Sequence, residues 1–462
     1  MNRKSTYFDQ TWVRIFAATI LLLIALLAGC SGETILDAVF PTRDVQEVVS
    51  TAEEGTSVVA ATEVAATEDS STPQLTAQET QSFIIDQSEL LVWIPEEFST
   101  LFDSEASLIL QQRIEEFERQ NPGTVVTVRV KASSGTSGIL DSLINTQQAA
   151  STALPQIVLL SQTDMQEAAD LQLIVPIEEF IQTADIKNFY PYAHEISSQD
   201  GVLFGFPFAG DALVGITTAE ITPSEFIGWD DIRSQKASLY FAANYPQARL
   251  FISQYLSSGG ILADEQGHAM IAAENMQMVL EVFDENLQNK TFLADFSSLN
   301  TSEDVWNAFL SGQTEWIINW ASRGLKSDVE GLKIFQLPSL GKEPYVSATG
   351  WVWSIVNNDA GIPELGPQFI EFLSDPVFLA DYSQAAGYLP VMPNSLSLYE
   401  DDGSLNQISN ILIAAHTFPE NDLILEIGPI FRDATLSVLN QTSTIEEIIV
   451  AAQQQLEALQ TK

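Results

Sequence analysis

Cysteine is almost missing from this chain: there is one, Cys30, in 462 residues. That excludes an internal disulfide and any zinc site built on thiolates. Histidine is nearly as scarce, and His194, His268 and His416 are too scattered to form a ligand pair such as H-x-x-x-H. Basic residues number 19 against 62 acidic ones, a formal net charge of −43. Nucleic-acid binding needs clustered Lys and Arg, so nucleic acid is excluded as a main partner. The sequence also lacks a G-x-S-x-G elbow, a Walker-type phosphate loop and an H-E-x-x-H pair, the usual signs of a hydrolase, an NTPase or a metalloprotease. What remains is rich in apolar side chains. Hydrophobic residues make up 45%, with 25 Phe, 10 Tyr and 8 Trp, ample for a substantial core and contrary to general disorder. A chain of this length makes two average domains or one large two-lobed one.

The single cysteine has a telling position. Arg3, Lys4 and Arg14 precede the apolar run Ile15 to Ala28, and Leu27-Ala28-Gly29-Cys30 follows. The run holds about 14 residues where a spanning helix needs roughly 20. A basic start, a short apolar stretch and small residues before a cut site read as a secretory signal over residues 1–29. Leu-Ala-Gly-Cys resembles the lipobox of bacterial lipoproteins. The resemblance implies that Cys30 is lipidated and becomes the first mature residue. Two or three acyl chains hold a protein stably on a bilayer. The expected location is therefore the outer face of the cytoplasmic membrane, with the lipid anchor as the sole membrane contact. Residues 30–87 then shift to Thr, Ser, Ala and acidic residues with no helical or strand period, which predicts a disordered, extended tether.

From residue 88 the patterning changes. Leu90 to Ile94 is a continuous apolar run closed by Pro95, expected as a buried strand. Asp103 or Ser104 caps a helix with Leu110, Ile114 and Phe117 on one face, and Pro122-Gly123 ends it. Val126, Val128 and Val130 alternate as a second strand, a helix starts near Ile139, and Gln156 to Leu160 is a third strand. Alternation of this kind predicts an α/β fold with a parallel sheet and crossover helices. Near the end, Ser443 with Glu446 suggests a capping box for the last helix.

Several stretches carry a resemblance in the right order. They are Phe117 to Gly123, Leu154 to Leu160, Gly205 to Leu213, Phe309 to Asn319, and the late pair Phe369 to Pro376 and Gly387 to Pro390. Together they resemble the family 1 extracellular solute-binding proteins of ATP-driven (ABC) importers, the maltose-binding-protein type. The resemblance implies a two-lobed periplasmic-binding-protein-like fold of type II, with hinge-linked lobes and a ligand cleft between them. Lobe one is expected at 88–208 and 340–375, and lobe two at 209–339 and 376–462. It also implies capture of an extracellular solute for an ABC permease, by a monomer, without catalysis, cofactor or metal.

Ligands of open α/β sheets sit beyond the carboxyl ends of strands. That nominates Trp93, Ser134, Asp164 and the loop after Asn319, including Trp320, as solute contacts. Phe208 and Asp211 lie in the stretch resembling the family's first crossover. In sugar-binding relatives the acid at that place accepts hydrogen bonds from ligand hydroxyls, a role expected of Asp211. Trp351 and Trp353 share one face of a strand by period two and are expected to do the same job. Tryptophan planes and an overall acidic chain point to a neutral carbohydrate. A surface sensor or adhesin on the same fold, or a glycosidase using two separated carboxylates, are the alternatives. Mass spectrometry of the membrane fraction is expected to find Cys30 diacylglycerated in the wild type, and Cys30→Ala is expected to leave the chain unlipidated.

Overall fold

The computed structural model describes residues 88–462 except 181–186, 221–227, 293–295, 297, 343, 359–364, 400–402, 420 and 462. The signal segment, Cys30 and the tether lie outside the described residues. The first apolar runs become parallel strands. β1 (Ser88–Pro95) lies between β2 (Thr124–Lys131) and β3 (Ile157–Ser161) and runs parallel to both. The crossovers are the helices Glu105–Gln120 and Ile139–Ala150. Ser104 starts the first of them, its hydroxyl accepting from the Ser107 N–H at 3.2 Å and so satisfying one orphan donor of the first turn. Leu110 and Phe117 of that helix are buried.

A short hairpin, β4 (Ser198–Gln199) and β5 (Val202–Leu203), precedes β6 (Phe206–Thr217), whose residues are buried throughout. The remaining strands are β7 (Leu239–Tyr240), β8 (Trp316–Trp320), β9 (Lys333–Phe335), β10 (Val346–Ile355) and β11 (Ala415–Thr417). The path through the sheet is β2-β1-β3-β10-β6-β8-β7, with β9 on β6 and β11 on β10. β6 ties the two halves together by changing partners. Phe206 to Ala212 pairs with β10, whereas Leu213 to Thr217 pairs with β8. The β6–β10 register slips between Trp351 and Val352, opposite Pro207, a residue with no N–H to give the ladder.

One expectation from the sequence needs correction. The capping box of the last helix, Ile445–Gln460, forms one residue later than expected. Thr444 Oγ1 accepts from the Glu447 N–H and Glu447 Oε2 accepts from the Thr444 N–H. Both registers fit the pattern S/T-x-x-E, and the observed one buries Ile448, Ile449, Ala452 and Leu456 together. The residues around 376, where a lobe boundary is expected, form a helix start. Pro376 opens the helix Pro376–Ala386, and Asp375 caps it by accepting from the Val377 and Phe378 N–H groups at 3.1 and 3.0 Å. Proline suits the first position of a helix because its missing N–H would be an orphan there; the dipeptide is a helix start and not a linker. This helix packs on Glu105–Gln120. The Tyr192 hydroxyl donates to Pro390 O at 2.9 Å, and Ser395 Oγ donates to Pro376 O at 3.0 Å. Residues 376–396 therefore pack on the helix Glu105–Gln120 and on Tyr192.

The same helix ends on Gly387 in the left-handed conformation, φ 61°, where glycine meets no steric penalty. A Cβ there would collide with Lys326 Cγ and lie 2.9 Å from the Lys326 backbone nitrogen. Gly387→Ala combines backbone strain with overpacking, and we expect it to cost about 1–3 kcal/mol. A thermal melt of the free protein at pH 7 checks this; an unshifted midpoint would contradict the packing described.

Candidate solute-binding site

The carboxyl ends of β1, β3 and β8 lead into short segments that carry polar side chains. After β1, Glu97 accepts a short hydrogen bond from the Ser133 hydroxyl, which ties this loop to the exposed turn holding Ser134. After β3, the Ser161 hydroxyl accepts from the Asp164 N–H at 3.2 Å in the first turn of the helix Gln162–Asp170. Burial pushes the Asp164 carboxyl up from its ordinary 3.8 to about 6. The Ser161 hydrogen bond opposes that rise, and nearby Glu167, Glu97 and Asp141 add to it.

Asp211 sits at the end of the β6–β10 pairing and is 4% exposed. Its Oδ1 accepts from the Ala212 and Ser322 N–H groups at 2.9 and 3.0 Å, and its Oδ2 accepts from the Ser322 hydroxyl at 2.5 Å. The carboxylate thus serves the start of the short helix Ala321–Leu325. Burial raises its pKa, while these hydrogen bonds and Lys326 pull the other way. Burial lowers the Lys326 ammonium from 10.5 to about 8, against the attraction of Asp211 and Glu97. Lys326 Nζ stands 3.5 Å over the Tyr388 ring, a cation–π contact of the desolvated kind.

The aromatic candidates separate by depth. Trp351 is half-buried, its ring 4.9 Å from Tyr388 and 5.2 Å from Phe98. Trp320 is also half-buried, with the Arg249 guanidinium carbon 4.7 Å over its ring. Trp353, in contrast, is 1% exposed and packs on Phe208 and Phe369. Phe208 is just as buried, 4.9 Å from Tyr382. Trp93 is buried, with Lys131 Nζ 4.1 Å over its ring. Asn319 is fully buried: its Nδ2 donates to Ser302 O at 2.8 Å and its Oδ1 accepts from the Trp320 N–H at 2.8 Å. Phe208, Trp353, Trp93 and Asn319, all nominated as solute contacts, are buried among protein neighbours. Period two put Trp351 and Trp353 on one face correctly, but that face is covered at Trp353 and open at Trp351.

Among the described residues no group of three or more His, Cys, Asp or Glu could hold a metal ion. No described helix is long and apolar enough to cross a membrane. A cavity of about 660 Å³ elsewhere, lined by residues such as Lys342, Asn410 and His416, contains none of the nominated side chains.

Comparison with known proteins bears on this arrangement. The sequence profile of the family described as bacterial extracellular solute-binding protein matches residues 112–406. The chain belongs to that family. No curated protein matches the sequence. Among solved structures, this solute-binding protein is similar to maltose-bound MalE3 of T. maritima, with TM-score 0.60 and 18% identity over 80% of this chain and 99% of that one. It is similar also to the sugar-binding MalE of Xanthomonas citri, with TM-score 0.65 and 16% identity over 80% and 97%. A third is the cyclic alpha-maltosyl-1,6-maltose binding protein of Arthrobacter globiformis, with TM-score 0.64 and 14% identity over 80% and 98%. The shared fold is the two-lobed type II arrangement.

Sequence reasoning missed three residues at this place in the solute-binding protein. Tyr388 lies inside the stretch Gly387 to Pro390 that marked the resemblance, so its position was signalled but its ring was not weighed. Lys326 ends a five-residue helix too short to show a period. Arg249 follows a turn with no motif. A titration prediction follows from Asp164. An acid whose pKa is raised in the folded state holds its proton more tightly there, so its relative contribution to stability falls as pH rises from about 4 through about 6. Asp164→Asn carries no charge at any pH. We expect it to melt above the wild type at pH 7.5, with the difference shrinking through pH 6 and gone below about pH 4. A constant difference across that range would refute the assignment.

Proposed function

We propose that this protein captures a sugar or short oligosaccharide between its lobes and delivers it to the permease of an ABC importer. It binds without converting its solute, and it is held outside the cytoplasmic membrane by lipid on Cys30 through the 30–87 tether. The observation that carries the sugar reading is the pair of half-buried indoles, Trp320 at the end of β8 and Trp351 on β10, set beside buried charged groups. A sugar presents apolar ring faces rimmed by hydroxyls, which such a mixture of planes and polar atoms suits. The acidic balance of the chain favours a neutral one. The sugars bound by the structural neighbours, maltose among them, support the same class.

Lobe one in this reading is 88–208 and 340–396, and lobe two is 209–339 and 397–462, with the solute drawing them together about β6 and β10. Ser134 and Asp164 would then line the lobe-one side and Trp320 the lobe-two side, while Asp211 holds the crossover in shape.

Calorimetry against neutral glucosyl and mannosyl di- to tetrasaccharides tests the reading. The expected result is saturable binding that Trp320→Ala and Trp351→Ala each weaken by about one to two decades, the loss of about 1–3 kcal/mol. Trp353→Ala is expected to act differently, lowering the melting point of the free protein by the cost of a core cavity, about 3–5 kcal/mol. Tight binding of a peptide or a phosphate with no saccharide bound would overturn the sugar assignment.

A further inference from the structure

The sequence assigned hydroxyl recognition to Asp211, an acceptor, but both oxygens of that carboxylate are engaged by Ala212 and Ser322. A different polar group stands beside Trp320. The Arg249 guanidinium carbon lies 4.7 Å over the Trp320 ring, 5.4 Å over Tyr245 and 5.6 Å over Phe418. Phe418 in turn accepts, through its carbonyl, a hydrogen bond from Gln162 Nε2 at 3.2 Å. Gln162 opens the helix that follows β3, so this frame reaches both sides of the crossover.

Arg249 is held there on unfavourable terms. Four other arginines, Arg113, Arg233, Arg323 and Arg432, each pair with a carboxylate. Among the described residues no carboxylate lies within ion-pair distance of Arg249, although the chain has 62 acids to draw on. Its Nε donates to Gln247 Oε1 at 2.8 Å, and Tyr245 supplies a further hydrogen bond. It is the first residue of the helix Arg249–Ser257, where the macrodipole disfavours a cation. The preceding Ala248 is left-handed, φ 44°, a conformation that non-glycine residues adopt at a cost. Local costs concentrated on one side chain are a mark of functional sites.

A guanidinium has five donors, no acceptor and a rigid fork. What would complete it is a ligand offering paired lone pairs. The excess of acids in the chain, with Asp211 within electrostatic reach, opposes an anion and leaves uncharged oxygens. We infer that Arg249 is a specificity-determining residue, donating to two neighbouring oxygens of a neutral sugar stacked at Trp320. This rests on the carbohydrate reading above. It reverses the polarity expected at the crossover: the solute must accept hydrogen bonds here.

The test uses the full mature protein and the tightest binder among neutral glucosyl and mannosyl di- to tetrasaccharides, with its monodeoxy analogues. Arg249→Met is expected to lose about 10–100-fold in affinity, and Arg249→Lys to recover part of it. One deoxy analogue should bind the wild type more weakly by a similar factor but bind Arg249→Met no worse than the parent sugar does, the coupling expected of direct partners. The free protein's melting point should not fall. Unchanged affinity in Arg249→Met would overturn the inference and leave the carbohydrate reading intact. So would a loss that comes with a lower melting point and no coupling to any deoxy position, since that marks a structural role. If no saccharide binds the wild type, the carbohydrate reading falls and this inference with it.

Discussion

One strand holds the molecule together. β6 pairs with β10 through Ala212 and with β8 from Leu213 onward, so a single run of backbone belongs to both halves of the sheet. Its residues are buried throughout, and buried backbone groups must find partners. The exchange of partner therefore fixes where the halves can separate. Asp211, the last residue but one before the exchange, binds the backbone and hydroxyl of Ser322. The start of the helix Ala321–Leu325 is thus tied to the strand at the point where the strand changes allegiance. Cutting that carboxylate away would leave the Ser322 donors without their partner, the expensive side of hydrogen bonding.

Around this exchange the charges are few and partly dehydrated. Lys326 is lowered to about 8 and Asp164 raised to about 6, both chiefly by burial. Each shift means that the neighbourhood disfavours the charged form, so water is partly excluded before any solute arrives. Lower effective dielectric strengthens every remaining polar contact and makes an unmet one costlier. Aromatic rings take part of the load: Tyr388 lies under Lys326, and Trp320 lies under Arg249. A sugar entering such a place exchanges water for fixed dipoles and ring faces, the exchange on which the proposed selectivity depends.

Much of the fold was legible because the chain states it locally. Leu90 to Ile94, the alternating valines of β2 and the Ser104 cap all follow from period and capping chemistry, with boundaries off by a residue or two. The last helix began one residue late because two overlapping S/T-x-x-E patterns are indistinguishable until the apolar face is packed. Pro376 after Asp375 reads in sequence equally as a linker or as a capped helix start, and in the structure it is the latter. Site residues were harder. A tryptophan on the right face is a core side chain or a solute platform according to what covers it, and Phe208 and Phe369 cover Trp353. Asp211 was expected to receive ligand hydroxyls, whereas the partner it has, Ser322, is far along the chain, a relation no local pattern encodes.

The distribution of side chains over the two halves also bears on how binding could be transmitted. A ligand shifts a conformational equilibrium only by its differential affinity for the two states. A solute touching Trp320 alone would bind one half and leave the relative position of the halves indifferent. Trp351 sits on the β10 side with Phe98 and Tyr388, while Trp320 sits at the end of β8 with Arg249. In the proposed reading, a solute that spans both groups gains most in a closed arrangement, and that differential contact is what would favour closure. On the proposed reading, selection by length follows from the same logic as selection by chemistry: a sugar too short to touch both indoles gains nothing from closure.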